Sequence, residues 1–228
     1  IYDVENHVSF TDSLVYGDSY METFPTWTPD GKSLYFCRTK GYQENMKPDS
    51  IYYDLYRISF DVMTEKLGNP ECVLKASTMY KSVSFPCISP NGKYLMYTLS
   101  DYGNFSIWHP ESDLYIMDLT TGTTKNLENV NSSDVDSYHT WSSSGHWFVF
   151  SSKRMDGLWA RPYIAAFNPE TGETGKAFLL PQKDPMFYDN YTYTYNRPEL
   201  IKTAVKNGKE FEKIIQQAAI PSTPKKNH

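Results

Sequence analysis

The chain has 228 residues, 39% hydrophobic and 21% charged, the balance of a globular protein long enough for one large or two small domains. A formal charge of −5 argues against a nucleic-acid surface, which needs clustered Lys and Arg, and no apolar run reaches the 18 residues of a membrane-crossing helix. An aromatic share of 16%, with 19 Tyr and 12 Phe, favours strands, where flat rings pack on a pleated surface.

The chain opens on "IYDVEN", which carries neither an initiator Met nor a basic-then-apolar leader. This stretch aligns with "YIMDLTTG" further along, Asp3 over Asp118, so residues 1–16 are predicted to be the end of a repeat unit. Three complete units are predicted at 17–77, 78–131 and 132–182, carrying "FPTWTPDGKSLYFCRT", "FPCISPNGKYLMYT" and "YHTWSSSGHWFVFSSK" in turn. Their turn glycines Gly31, Gly92 and Gly145 fall 61 and 53 residues apart.

In each unit the glycine turn joins two apolar strands into a hairpin. Pro29 and Pro90 preset the entry to the turn, and Asp30 or Asn91 can cap its backbone. A third strand follows at "YDLYRISF", "SDLYIMDL" and "RPYIAAFN", then a polar turn and a short fourth strand at "ECVL", "KNL" and "KAFLL". Four antiparallel strands repeated in tandem predict an all-β fold, a β-propeller of four-stranded blades, over a single sandwich of evenly spaced strands. After it, residues 183–228 read as a tail. "PQKDPMFYDNYTYTYNRPEL" suits an extended segment clasping the last blade, "NGKEFEKIIQQAAI" a short helix with Phe211, Ile214, Ile215 and Ala218 on one side, and "PSTPKKNH", with Lys225 and Lys226, a disordered end.

The repeated "FPTWTPDGKSLYF", "FPCISPNGKYLMY" and "HTWSSSGHWFVFSSKR", each trailed by an "LYxxDL"-like strand, resemble the WD-type repeats of the TolB-like β-propeller family over about residues 17–200. The third unit, "SSKRMDGLWARPYIAAF" with "FLLPQKDPMFYDN", is similar to the last blade and tail of members from Bacteroidetes-type cell envelopes. The resemblance implies a periplasmic or outer-membrane-associated protein. Propellers close with 4 to 8 blades, so three blades and a part of one are expected to be the C-terminal piece of a larger propeller, completed by an upstream segment of the same protein.

No catalytic constellation is complete. A GxSxG elbow, HExxH and a phosphate loop are all absent, and "TGTTK" and "TGETGK" are hairpin connectors. No cofactor or metal is implied. Cys37, Cys72 and Cys87 are an odd count without CxxC spacing, and Cys37 and Cys87 sit in apolar strands as buried small residues. Asp134 and Asp136 lie before a first strand and read as solvated or turn-capping groups. His139 replaces Pro25 and Pro86 at an innermost strand and is a candidate contact to a ligand in the channel; a metal there would need two or three more ligands.

The connections between second and third strands, "KGYQENMKPDSIY", "DYGNFSIWHPES" and "RMDGLWA", are long and aromatic. Equivalent loops emerge on one face, which makes Tyr42, Tyr52, Tyr102, Phe105, Trp108 and Trp159 a candidate contact surface. Arg154 and Arg161 flank the last loop as bidentate carboxylate binders, with a structural pair to Asp156 as the plainer role. The preferred expectation is a non-enzymatic platform gripping an envelope protein or a glycan. The alternative is a propeller enzyme or an enzyme's propeller, akin to metal-dependent oligosaccharide lyases or prolyl-type peptidases.

Overall fold

The computed structural model describes residues 1–204, 208–219 and 221–224. A short hairpin, β1 (Tyr2–Asp3) and β2 (Val8–Ser9), precedes three antiparallel sheets. The first is β3 (Tyr20–Trp27), β4 (Ser33–Lys40), β5 (Asp54–Asp61), β6 (Lys66–Leu67) and β7 (Glu71–Leu74). The second is β8 (Ser82–Ile88), β9 (Tyr94–Ser100), β10 (Asp113–Asp118) and β11 (Thr124–Asn126). The third is β12 (Asp136–Trp141), β13 (Trp147–Ser152), β14 (Arg161–Asn168), β15 (Glu173–Thr174) and β16 (Phe178–Leu179). Within each sheet the first three strands pair in chain order and the short outer strands pair with the third, which is the meander of a propeller blade.

The repeated turn chemistry explains why these segments fold alike. Gly31, Gly92 and Gly145 take φ of 69°, 72° and 72°, a left-handed conformation that costs glycine nothing. Ahead of each, a side-chain oxygen is fixed by two neighbours. Asp30 Oδ1 accepts from Thr28 Oγ1 at 2.6 Å and Lys32 N at 3.1 Å, and Asn91 Oδ1 from Ser89 Oγ at 2.7 Å and Lys93 N at 3.0 Å.

A second turn recurs after each third strand. The side-chain oxygens of Asp61, Asp118 and Asn168 each accept from the backbone N–H groups two and three residues ahead, at 2.8–2.9 Å and 3.3–3.4 Å. Asp3 does the same with Glu5 N at 2.9 Å and Asn6 N at 3.0 Å. The β1–β2 hairpin therefore has the turn of a third-to-fourth-strand connection.

In the first and third sheets the fourth strand is split. β6 and β7 both pair with β5, β15 and β16 both pair with β14, and the break falls at Gly68 and Gly175, whose N–H groups donate back to Ser59 O and Ala166 O at 2.9 Å each.

The core lies between the sheets. Along β9 the side chains alternate: Leu95, Tyr97 and Leu99 pack with Tyr35, Cys37 and Leu55 of the first sheet, while Tyr94 and Met96 pack with Phe148, Phe150 and Phe167 of the third. Every residue of β9 is buried, as expected of a strand covered on both faces, and each such apolar side chain contributes roughly 1.5–3 kcal/mol.

The innermost strands β3, β8 and β12 carry a shared irregularity. Each pairs with its neighbour through a bulge, and at the bulge Phe24, Phe85 and Tyr138 take φ of 53°, 52° and 55°. Positive φ is strained for an aromatic residue, at roughly 1–3 kcal/mol. The three rings form a row across the sheets, with centroids 4.0 Å apart from Phe24 to Phe85 and 4.7 Å from Phe85 to Tyr138.

The segment after β16 lies against the third sheet. Tyr195 N donates to Ala160 O at 2.9 Å, Ser151 Oγ to Asn196 O at 2.5 Å and Thr140 Oγ1 to Pro198 O at 2.6 Å. The helix α1 (Gly208–Ile215) is shorter than its sequence suggests: Ala218 lies beyond it, and Phe211, Ile214 and Ile215 are exposed. A final strand, β17 (Thr223–Pro224), runs parallel to β2, and Lys225 and Lys226 lie outside the described residues. No described helix is long and apolar enough to cross a membrane.

Candidate functional site

The three long loops, residues 41–53, 101–112 and 153–160, leave the same end of their sheets because each joins a second strand to a third. They are tied to one another and to the sheets. Gly103 N donates to Ile51 O at 2.8 Å, and Ser82 Oγ donates to Gly103 O at 2.5 Å while accepting from Tyr53 N at 2.9 Å. The first loop leaves β4 at Gly41, whose N–H donates to Ser19 O at 2.8 Å; a Cβ there would stand 1.9 Å from Asp18 O, so only glycine fits.

The second loop contains a 3-10 turn, Ser106–Trp108. Its inner side is buried: Ile107 packs with Val135 and Ala160 of the third blade, and the hydroxyls of Ser106 and Ser137 are 2.6 Å apart. Its outer side presents Phe105 and Trp108, the latter 74% exposed, and Lys153 Nζ sits 4.2 Å from the Trp108 ring centroid. In the third loop Asp156 Oδ1 accepts from Leu158 N and Trp159 N at 2.9 and 3.0 Å, which turns the Leu158 and Trp159 side chains outward.

The expected site residues therefore separate. Tyr42, Phe105, Trp108 and Trp159 stand exposed on the loop face, with Trp108 joined to the third loop through Lys153. Tyr102 is half-buried, edge-on to His109 at 4.5 Å, and His109 Nδ1 lies 3.0 Å from Glu111 Oε1.

Both arginines point inward. Arg161 donates to Asp156 Oδ2 at 2.8 Å, Trp159 O at 3.2 Å and Tyr188 O at 3.3 Å, pinning the last loop to the tail. Arg154 does not pair with Asp156. It donates to Asp136 Oδ1 at 2.5 Å, Val130 O at 2.7 Å and Ser152 Oγ at 2.9 Å, and its guanidinium lies 4.4 Å from the Tyr163 ring centroid. Asp136 is accordingly a buried residue rather than a solvated one; burial pushes its carboxyl above the usual range, with Arg154 pulling the other way.

His139 has no exposed surface, and neither ring nitrogen makes a well-formed hydrogen bond. Burial holds its pKa down at about 3, only partly offset by the backbone of Met96 and Phe85, so the ring is neutral at ordinary pH. The ring is thus inside the packing and borders no open channel. Among the described residues no group of three or more His, Cys, Asp or Glu could hold a metal ion, and Cys37, Cys72 and Cys87 are free thiols.

Two features escape sequence reasoning. Lys153 has no partner in the repeat column and is found only through Trp108. Glu22 and Arg38 pair across β3 and β4 at 2.9 Å, and the signal for them is that Glu22 and Asp136 both stand two residues before the strained aromatic.

No family model matches the chain, and no curated relative does. Among solved structures it is similar to the β-propeller domain of the trilobed protease from Pyrococcus furiosus, at 15% identity over 72% of this chain and 44% of that one, with a TM-score of 0.41. The Dos1 propeller matches at 14% identity over 72% of this chain and 38% of that one, TM-score 0.46. An oligogalacturonate lyase in complex with manganese matches at 16% over 68% and 37%, TM-score 0.37. The chain spans less than half the length of each of these structures, and identities this low give no residue a role.

Proposed function

We propose that this chain is a non-enzymatic propeller module that acts as an interaction platform, binding a partner protein or glycan with its loop face. The observation that supports it is the construction of that face. Trp108 is 74% exposed, yet its turn is fixed from below by Ile107 and Ser106 and from the side by Lys153. A rigid exposed ring buries much area on contact at small entropy cost, which is the property of an interface anchor. Tyr42, Phe105, Leu158 and Trp159 extend the same surface.

From the TolB-like resemblance we further propose that the platform works in a bacterial cell-envelope complex, periplasmic or outer-membrane-associated, with an upstream propeller segment of the same protein as its neighbour. A pull-down from envelope extracts with wild type and a Trp108→Ala/Trp159→Ala variant tests the reading. A stoichiometric partner is expected with wild type and lost with the variant; equal recovery by both would sink it. A stoichiometric divalent metal that His139→Ala removes would replace this reading with an enzymatic one.

A further inference from the structure

The first and third blades carry the same charged device. Glu22 stands two residues before Phe24 and Asp136 two before Tyr138, and each carboxylate accepts from an arginine on or just after the neighbouring strand, Arg38 at 2.9 Å and Arg154 at 2.5 Å. Arg38 lies over Phe36 and Tyr56 at 5.5 and 5.3 Å, as Arg154 lies over Phe150 and Tyr163 at 5.4 and 4.4 Å. Each Nη2 donates to a carbonyl in the connection that enters its blade, Leu14 O in one and Val130 O in the other.

The surroundings of the two pairs differ. In the third blade the entering connection fills the space: Leu127, Val130 and Val135 are buried, and Ser132 donates from N and Oγ to Asp136 Oδ2 at 2.6 and 2.9 Å. In the first blade the connection leaves a cavity of about 270 Å³ against the pair, walled by Ser13, Tyr16, Ser19 and Tyr20. Among the described residues Arg38 Nη1 and Glu22 Oε2 make no hydrogen bond, although the Arg38 side chain is only 9% exposed.

We propose that this cavity is a binding site for a neutral polyhydroxylated ligand of monosaccharide size. The pair is mutually neutralised, so the site offers no net charge to hold an ion. It does offer a fixed donor edge beside a fixed acceptor edge, and vicinal hydroxyls, each both donor and acceptor, satisfy such a pair of edges together. The guanidinium is held 4.4 Å from the Tyr20 centroid and cannot swing away, so the geometry is set before a ligand arrives. The rings of Tyr16 and Tyr20, 73% and 47% exposed, supply a flat apolar wall for the C–H face of a sugar ring. A space of this volume is smaller than the pockets of drug-sized ligands and suits one six-membered ring.

The test is saturation-transfer NMR and titration calorimetry on the whole chain with D-glucose, D-galactose and N-acetylglucosamine as neutral probes, galacturonate as an anion and leucine as a zwitterion. At least one neutral sugar is expected to bind. Glu22→Gln and Tyr16→Ala should each weaken it about tenfold, the loss of one hydrogen bond to a charged group or of one packed ring. Tyr16 is exposed, so its variant keeps the fold even if Glu22→Gln does not. No neutral sugar bound, binding only of galacturonate or leucine, or affinity unchanged in Tyr16→Ala would each overturn the proposal. Trp108→Ala/Trp159→Ala should leave sugar binding intact, which separates this site from the loop platform.

Discussion

The ammonium of Lys153 sits 4.2 Å from the centroid of the Trp108 ring, joining a buried lysine of the third blade to the single tryptophan of the second. The contact is expected to set the direction in which Trp108 projects. Lys153→Met should cost about 0.5–2 kcal/mol, the range of a cation–π contact from exposed to partly desolvated. A double-mutant cycle with Trp108→Leu in denaturant unfolding measures the coupling, and additive losses would show that the ring is oriented by something else.

Arg154 and Asp136 respond unequally to truncation. Arg154→Met leaves a carboxylate with no exposed surface and no cation, an arrangement that costs about 3–5 kcal/mol. Asp136→Asn keeps the shape and an acceptor, and burial already favours the uncharged form, so its cost should be the smaller of the two. Equal losses in urea unfolding would contradict this ordering.

His139 makes stability depend on pH. Its pKa of about 3 in the folded chain lies below its ordinary value of 6.5, so protons favour the unfolded state. The stability it supports is full above pH 6.5 and falls as pH drops toward 3, by roughly 1.4 kcal/mol per unit. Arg197 in the tail adds to the effect by repelling the charged ring. The unfolding free energy of wild type minus that of His139→Phe, followed from pH 7 to 4, should fall as the pH drops; a constant value would show that the imidazole titrates normally.

The tail should open before the blades do. Its anchors to the third sheet include the hydroxyls of Thr140 and Ser151, each giving one hydrogen bond to a carbonyl. Ser151→Ala with Thr140→Val should lower the opening free energy of residues 181–204 by about 1 kcal/mol per bond. Hydrogen exchange of the Tyr195 amide, bonded to Ala160 O, reads this directly; exchange as slow as in wild type would place the clasp's strength elsewhere.

What the sequence reveals is what repeats by local chemistry. The glycine turns, their Asp30 and Asn91 caps and the Asp3–Asp118 register are legible because each is set within a few residues, and the blade architecture follows from them. That the three long loops leave one end of the sheets is legible from the strand order alone. The bulge at Phe24, Phe85 and Tyr138 is not, since an aromatic residue gives no sign of positive φ. Nor is the Glu22–Arg38 pair, because the second blade puts Val83 and Leu99 at those places and breaks the column. The lowered pKa of His139 comes first from burial, with a part from the charge of Arg197 in the tail, and the neighbouring Thr140 bonds Pro198 there; no window of sequence spans that distance.

The row of Phe24, Phe85 and Tyr138 has a consequence for how the blades come apart. In a solenoid each unit carries its own stability and meets its neighbour across a separable interface. Here each unit holds a strained aromatic residue, and its ring packs against the corresponding ring of an adjoining unit. Removing one blade withdraws support from the adjoining one. The three blades are therefore expected to melt in a single transition, and a lone blade cut out of the chain would keep the strain without the neighbouring ring.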